Sequence, residues 1–143
     1  MKLQAIAILT FLIFENVMAQ ETTTTKYINS TDMEALKLTQ EWDKTFPQSD
    51  KVEHTKITFH NRYGITLAAD LYKPKNTQGR LAAIAVSGPY GAVKEQVSGR
   101  YAQTLAERGF LTIAFDPSYY GESGGTPRYL TSPEISTEDF SAI

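Results

Sequence analysis

Leu81-Ala82-Ala83-Ile84-Ala85-Val86 runs into Ser87-Gly88-Pro89-Tyr90-Gly91-Ala92-Val93-Lys94-Glu95-Gln96. Further on, Phe110-Leu111-Thr112-Ile113-Ala114-Phe115 runs into Asp116-Pro117-Ser118-Tyr119-Tyr120-Gly121-Glu122-Ser123-Gly124-Gly125. Each apolar run is short enough for a strand and ends in a turn rich in glycine. Between them Val93, Val97, Tyr101 and Leu105 recur every fourth residue beside Ala102 and Ala106, and Arg108-Gly109 closes the pattern as a helix end. Strand, turn, helix, strand, turn is the order of an α/β protein, and a unit of this length implies a right-handed parallel crossover. Residues 81–86 are apolar at every position, as a central strand covered on both faces would be. In such sheets ligands collect at the carboxyl ends of the strands, where these two turns fall.

Upstream, Val52 to Phe59 alternates, with Thr55, Ile57 and Phe59 on one face and His54, Lys56 and Thr58 on the other. Ile65, Leu67, Ala69 and Leu71 oppose Thr66, Ala68, Asp70 and Tyr72 in the same way, and Asn61-Arg62-Tyr63-Gly64 supplies the turn. An antiparallel hairpin with one apolar face follows. His54 and His60 then fall on its outer face and at its tip, as solvated polar positions. Thr31-Asp32-Met33-Glu34 fits a capping box, and Ala35, Leu38, Trp42 and Phe46 follow at helical spacing before Pro47, which predicts a helix over 32–46 with Trp42 as packing. At the other end, Ser132 stands in cap position before a helix beginning at Pro133-Glu134.

Composition bounds the chemistry. The 143 residues fit one domain, 41% apolar and 21% charged, and the formal charge of −2 from 14 Lys+Arg and 16 Asp+Glu has no like-charge block to attract nucleic acid. The absence of cysteine excludes disulfides, thiolate metal sites and a cysteine nucleophile. Two histidines leave little for a metal, and neither a metal nor a cofactor is expected. Lys2, the apolar run Ala5 to Phe14 and the small residues Val17 and Ala19 form a secretory signal pattern, with cleavage after Ala19. A spanning helix needs roughly 20 apolar residues, and Glu15-Asn16 interrupt this run early, so no membrane association is expected after cleavage. The expected organisation is a signal peptide over 1–19, a polar tether over 20–30 carrying Thr22 to Thr25, and a folded unit over 31–143, exported to a periplasm or to the extracellular space.

Three glycine-rich chemistries compete for the turn after Val86. A dinucleotide fingerprint fails because Gly88 and Gly91 are three apart and the next glycine is Gly99, inside the helix. A phosphate-binding P-loop fails because Lys94 lies between Val93 and Glu95, without the glycine and hydroxyl that chemistry needs. An oxyanion site remains, in which a backbone N–H stabilises charge developing on a carbonyl oxygen. Pro89 cannot donate, so Tyr90 N–H is the first candidate donor and Gly91 N–H the second; a plain strand-to-helix turn explains the glycines equally well.

Gly121-Glu122-Ser123-Gly124-Gly125 matches the Gly-x-Ser-x-Gly nucleophile string, but its context is wrong. The elbow joins a strand directly to a helix, whereas Asp116 to Tyr120 separate this string from its strand and two prolines follow it. The triad order also requires a histidine after the serine, and none follows His60. Ser123 is therefore expected at the rim of the site and not as its nucleophile.

Taken together, Ala92-Val93-Lys94-Glu95-Gln96 and Ala114 to Arg128 resemble the α/β-hydrolase superfamily, and within it the bacterial dienelactone-hydrolase-like and X-Pro-dipeptidyl-peptidase-like branch. The resemblance covers about residues 50 to 143. It implies the N-terminal part of an α/β-hydrolase fold, an antiparallel hairpin followed by parallel strands with a crossover helix, and an incomplete sheet. It further implies a serine-type acyl hydrolase acting on small-molecule esters or amides, with a first loop that gives an oxyanion donor. Many members carry a histidine where this chain has Gly88. The family's nucleophile, acid and histidine follow its strands five, seven and eight, which puts them beyond Ile143 and leaves the chain inactive by itself. In that strand order an end at Ile143 leaves residues 81–86 as an apolar edge, open to strand pairing or aggregation. The alternative is a non-catalytic module that uses the Gly88 turn and this edge to bind a ligand or partner.

Overall fold

The computed structural model describes residues 35–143. The expected signal peptide, polar tether and capping box at residues 31–34 lie outside them. The described chain forms β1 (Val52–His60), β2 (Thr66–Pro74), β3 (Ala83–Val86), α1 (Val97–Ala106), β4 (Leu111–Phe115) and α2 (Pro133–Ser141). The sheet runs β1-β2-β4-β3. β1 and β2 are antiparallel, β2 and β4 are antiparallel, and β3 and β4 are parallel across α1. The expected α/β architecture, hairpin first and crossover second, is the one observed. β3 lies at the edge of the described sheet with Ala83 and Ala85 exposed, as the strand order of the resemblance implies and against the reading of its apolar run as a covered central strand.

The register assigns the faces, because residues paired across strands share a face. His54, Tyr72 and Thr112 are aligned on one face, as are Lys56, Asp70 and Ala114. α1 packs on this face, and Val52, Tyr72, Ala102, Ala106 and Ala114 form its core with Trp42 and Val86 against it. The hairpin's polar face is thus buried, which corrects the expectation of a single apolar face. On the other face Ile57, Leu71 and Ile113 stay half-buried beside a groove that Phe140 flanks. Polar residues tolerate burial here because each meets a partner of opposite charge or a hydrogen bond.

Two further expectations are corrected. Residues 35–46 are not helical. Thr39 N–H donates to Glu122 Oε1 at 2.6 Å, Thr45 N–H to Glu95 O at 3.0 Å and Trp42 Nε1 to Phe46 O at 2.8 Å, so tertiary partners and Trp42's own ring take the groups a helix would use. In α1 the buried face is Ser98, Gly99, Ala102, Gln103 and Ala106, while Val97 and Tyr101 are exposed. Close approach decides this: a Cβ on Gly99 would meet Lys94 O at 2.2 Å and Tyr72 Oη at 3.1 Å, so the small residues face the sheet. α2 begins at the expected place, with Ser132 Oγ accepting from Ile135 N–H at 3.5 Å.

Candidate active site

The loops that leave β3 and β4 enclose a cavity of about 380 Å³. Its walls come from the 87–91 turn, from Pro117 to Tyr120, and from Leu130 to Phe140, including one side of α2. The turn is closed by Ala92 N–H donating to Pro89 O at 3.0 Å, and Gly91 has φ +75°, a conformation glycine adopts without strain. A Cβ on Gly88 would stand 2.9 Å from Ala92 Cβ, so the tight turn favours glycine at the position where the resemblance leads to a histidine. The Tyr90 and Gly91 amides, the two candidate donors, have no backbone acceptor among the described residues. Both residues line the cavity.

The turn is held from behind by charge. Asp116, fully buried at the end of β4, accepts from Lys94 N–H at 2.7 Å and Lys94 Nζ at 2.7 Å, and from Glu122 N–H at 2.9 Å. One carboxylate therefore ties the loop after β3 to the loop after β4. Lys94 Nζ also reaches Glu122 Oε2 at 2.8 Å and pairs with Glu95. Lys56 Nζ lies 2.9 Å from Glu122 and 3.1 Å from Asp43, and Lys44 Nζ lies 3.0 Å from Asp70 Oδ2. That oxygen has no hydrogen bond of good angle, but an ammonium at 3.0 Å supplies its counter-charge. Asp70 Oδ1 is 2.8 Å from His54 Nε2, so His54 is a half-buried partner and not the solvated residue its position predicts.

The titration of these groups follows their partners. Burial alone would lower the Lys94 ammonium, but the Asp116 charge and hydrogen bonds to Asp116, Glu122 and Glu95 raise it above its ordinary value. Burial would raise Glu122, yet Lys56, Lys94 and the Thr39 N–H outweigh it and hold its carboxyl at about 2. Glu95 moves the other way, raised by burial and by the neighbouring Asp116 charge. Asp43, Glu95 and Glu122 can bring oxygens within 4.8 Å of one another, a metal-like grouping, but the Lys56 ammonium sits among them and supplies the cation.

Ser123 is 2% exposed. Its Oγ donates to Asp116 O at 2.6 Å and accepts from Ala68 N–H at 2.9 Å, so it fastens the loop to β2 and its oxygen has no path to a substrate. The sequence reading missed the ionic cluster, although Lys94, Asp116 and Glu122 stand inside the very strings that carry the resemblance. The available signal was Asp70 within an apolar strand and Asp116 directly after one, since an acid so placed needs a buried counter-charge.

No family model matches the chain. It is 70% identical over 121 residues to protein PA2218 of Pseudomonas aeruginosa, a match that covers 84% of this chain and 32% of that protein. It is 51% identical over 94 residues to YcjY of Escherichia coli, covering 63% and 31%. The chain spans about a third of the length of these curated relatives. The crystal structure of PA2218 superposes with TM-score 0.75 at 74% identity over 76% of this chain and 34% of the other. The crystal structure of the α/β hydrolase GrgF from a Penicillium species superposes with TM-score 0.55 at 25% identity, over 62% and 30%. The fold is an α/β-hydrolase fold. Within it, the described residues supply the hairpin, the first parallel pair and the loop that carries Tyr90.

Proposed function

We propose that this chain is the front part of an exported serine-type acyl hydrolase, esterase- or peptidase-like, of the dienelactone-hydrolase-like and X-Pro-dipeptidyl-peptidase-like branch. The observation that carries this is the cavity at the carboxyl ends of β3 and β4, onto which the Tyr90 and Gly91 turn opens. An N–H in that position stabilises the oxyanion of a tetrahedral intermediate, and one such donor is worth about 3 kcal/mol in the transition state. The serine that attacks, the histidine that moves its proton and the acid that orients the histidine come from residues beyond this chain. The chain by itself does not turn over substrate. Export follows from the signal pattern, and cleavage leaves Gln20 as the mature N-terminus.

The test reads the coding sequence past Ile143. An apolar strand followed at once by Gly-x-Ser-x-Gly is expected, and the encoded protein should hydrolyse p-nitrophenyl acetate and lose that activity when the new serine is replaced by alanine. Turnover by the 143-residue chain that vanishes on Ser123→Ala overturns the proposal. The exposed edge at β3 favours a second reading, a non-catalytic module that pairs strands or binds a partner there. A stop codon directly after Ile143 would support that second reading.

A further inference from the structure

Resting on the hydrolase reading, we infer that the cavity beside the Tyr90 turn is a subsite for a neutral aromatic group of the substrate. The first observation is its lining. Phe115, Tyr119, Tyr120 and Phe140 contribute rings, and Tyr90 stands at the rim. These rings already meet edge to face: Phe115 and Phe140 at 4.9 Å and 90°, Tyr90 and Tyr120 at 6.4 Å and 68°. Such edges and faces offer a planar guest the offset and T-shaped contacts that aromatic pairs prefer. The second observation is charge. Asp139 is the one carboxylate of the lining, which holds no lysine, arginine or histidine, and both its oxygens already accept hydrogen bonds. Oδ1 accepts from Asn61 Nδ2 at 2.8 Å and Ser118 Oγ at 2.8 Å, and Oδ2 accepts from Ser118 N–H at 2.8 Å.

An anionic guest would lose water and face only the Asp139 carboxylate, and a cationic one would find that carboxylate 1% exposed with both oxygens already bonded, so either bears a desolvation cost that a neutral ring is spared. Size agrees: a cavity of about 150 Å³ is enough for benzene, and the 380 Å³ here accommodates a substituted ring. The hydroxyls of Ser132 and Ser136 on the α2 side can meet one polar substituent. With the ring in this cavity, an attached carbonyl would lie beside Tyr90 and Gly91, which line the same cavity. The inferred substrate class is an ester or amide with an uncharged aromatic group next to the scissile carbonyl.

The test is equilibrium binding to the purified 143-residue chain, followed by amide chemical shifts. Acetophenone is the neutral aromatic probe, benzoate and benzylammonium the charged isosteres, and cyclohexyl methyl ketone the aliphatic control. Acetophenone is expected to shift Gly88, Gly91, Tyr120 and Ile135, and the charged isosteres to bind about tenfold more weakly. Ser136→Asp should turn the preference towards benzylammonium, and Ser136→Lys towards benzoate. The inference is overturned if a charged isostere or the aliphatic ketone matches acetophenone, if the shifts fall on Ile84 and Ile113 instead, or if acetophenone does not bind. No hydrolysis is measured, so an inactive longer protein would leave this result standing, and a failure here would leave the hydrolase reading standing.

Discussion

The two loops that follow β3 and β4 have two sides, and the sides differ in kind. Behind the Tyr90 turn, the buried Lys94 and Asp116 and the half-buried Glu122 are mutually bonded, with Lys56 and Asp43 completing the cluster. In front of it lie rings, hydroxyls and two amides without a backbone acceptor among the described residues. A donor that serves a reaction must be left unengaged, and an unengaged donor does nothing to hold its own loop. The difference shows how the fold reconciles these demands: the charges behind fix the backbone, and the front is left free for a guest.

The largest way to break this contrast is Asp116→Ala. It removes the acceptor of two backbone N–H groups and strands a buried ammonium, and losing one partner of a buried pair costs about 3–5 kcal/mol. Urea denaturation should show that loss, with Asp116→Asn falling between the variant and the parent. A cost below about 1 kcal/mol, the value of an exposed pair, would mean that the cluster does not hold the loops. Gly99→Ala attacks the same support sterically. Its methyl group would meet Lys94 O, a backbone atom that cannot swing away, so a loss of about 3 kcal/mol is expected from overpacking.

How much of this was legible depends on the periodicity involved. β1, β2 and β4 announce themselves by alternation or by apolar runs, and the Pro133 helix by its serine cap. The Tyr90 turn was found because glycine and proline restrict which N–H can donate. The helix predicted over 32–46 failed because Ala35, Leu38, Trp42 and Phe46 fit helical spacing, but the segment is placed by partners far along the chain: Thr39 by Glu122, Lys44 by Asp70 and Thr45 by Glu95. The face of α1 was misassigned for a related reason. The stripe of large residues, Val97 and Tyr101, is exposed, and the buried side is marked by what Gly99 lacks. The ionic cluster joins residues from 43 to 122, and no local window contains it.

Ser123→Ala sharpens the contrast by removing a hydroxyl from the supporting side. The Ala68 N–H loses its acceptor and Asp116 O loses a donor, which should cost about 1–2 kcal/mol in urea. In the longer hydrolase proposed above, ester hydrolysis measured under folding conditions should be unchanged. A full loss of turnover with no loss of stability would reverse the roles assigned to the two sides.

Acid tests the supporting side without mutation. Glu122 is depressed in the folded protein from an ordinary 4.5 to about 2, so its contribution is present above pH 4.5 and is lost as pH falls from there through about 2. Glu95 is raised, so its protonation favours the folded state and offsets the start of that decline. Stability measured against pH should fall on this acid limb, and Glu122→Gln should flatten it. An unchanged limb in that variant would place the acid sensitivity elsewhere.

The smallest effect on stability is expected in front of the turn, at Tyr90→Ala. The side chain is 80% exposed and its ring meets Tyr120 at 6.4 Å, so its removal uncovers little and should leave the urea midpoint close to where it was. The backbone amide that the hydrolase reading uses is retained in alanine, and what is lost is a ring at the mouth of the cavity. Acetophenone should therefore bind less tightly to a protein of undiminished stability, the reverse of the pattern at Asp116, where stability falls first. If Tyr90→Ala lowered the midpoint as far as Ser123→Ala does, the front of the turn would share in holding the fold, and the division between the two sides of these loops would fail.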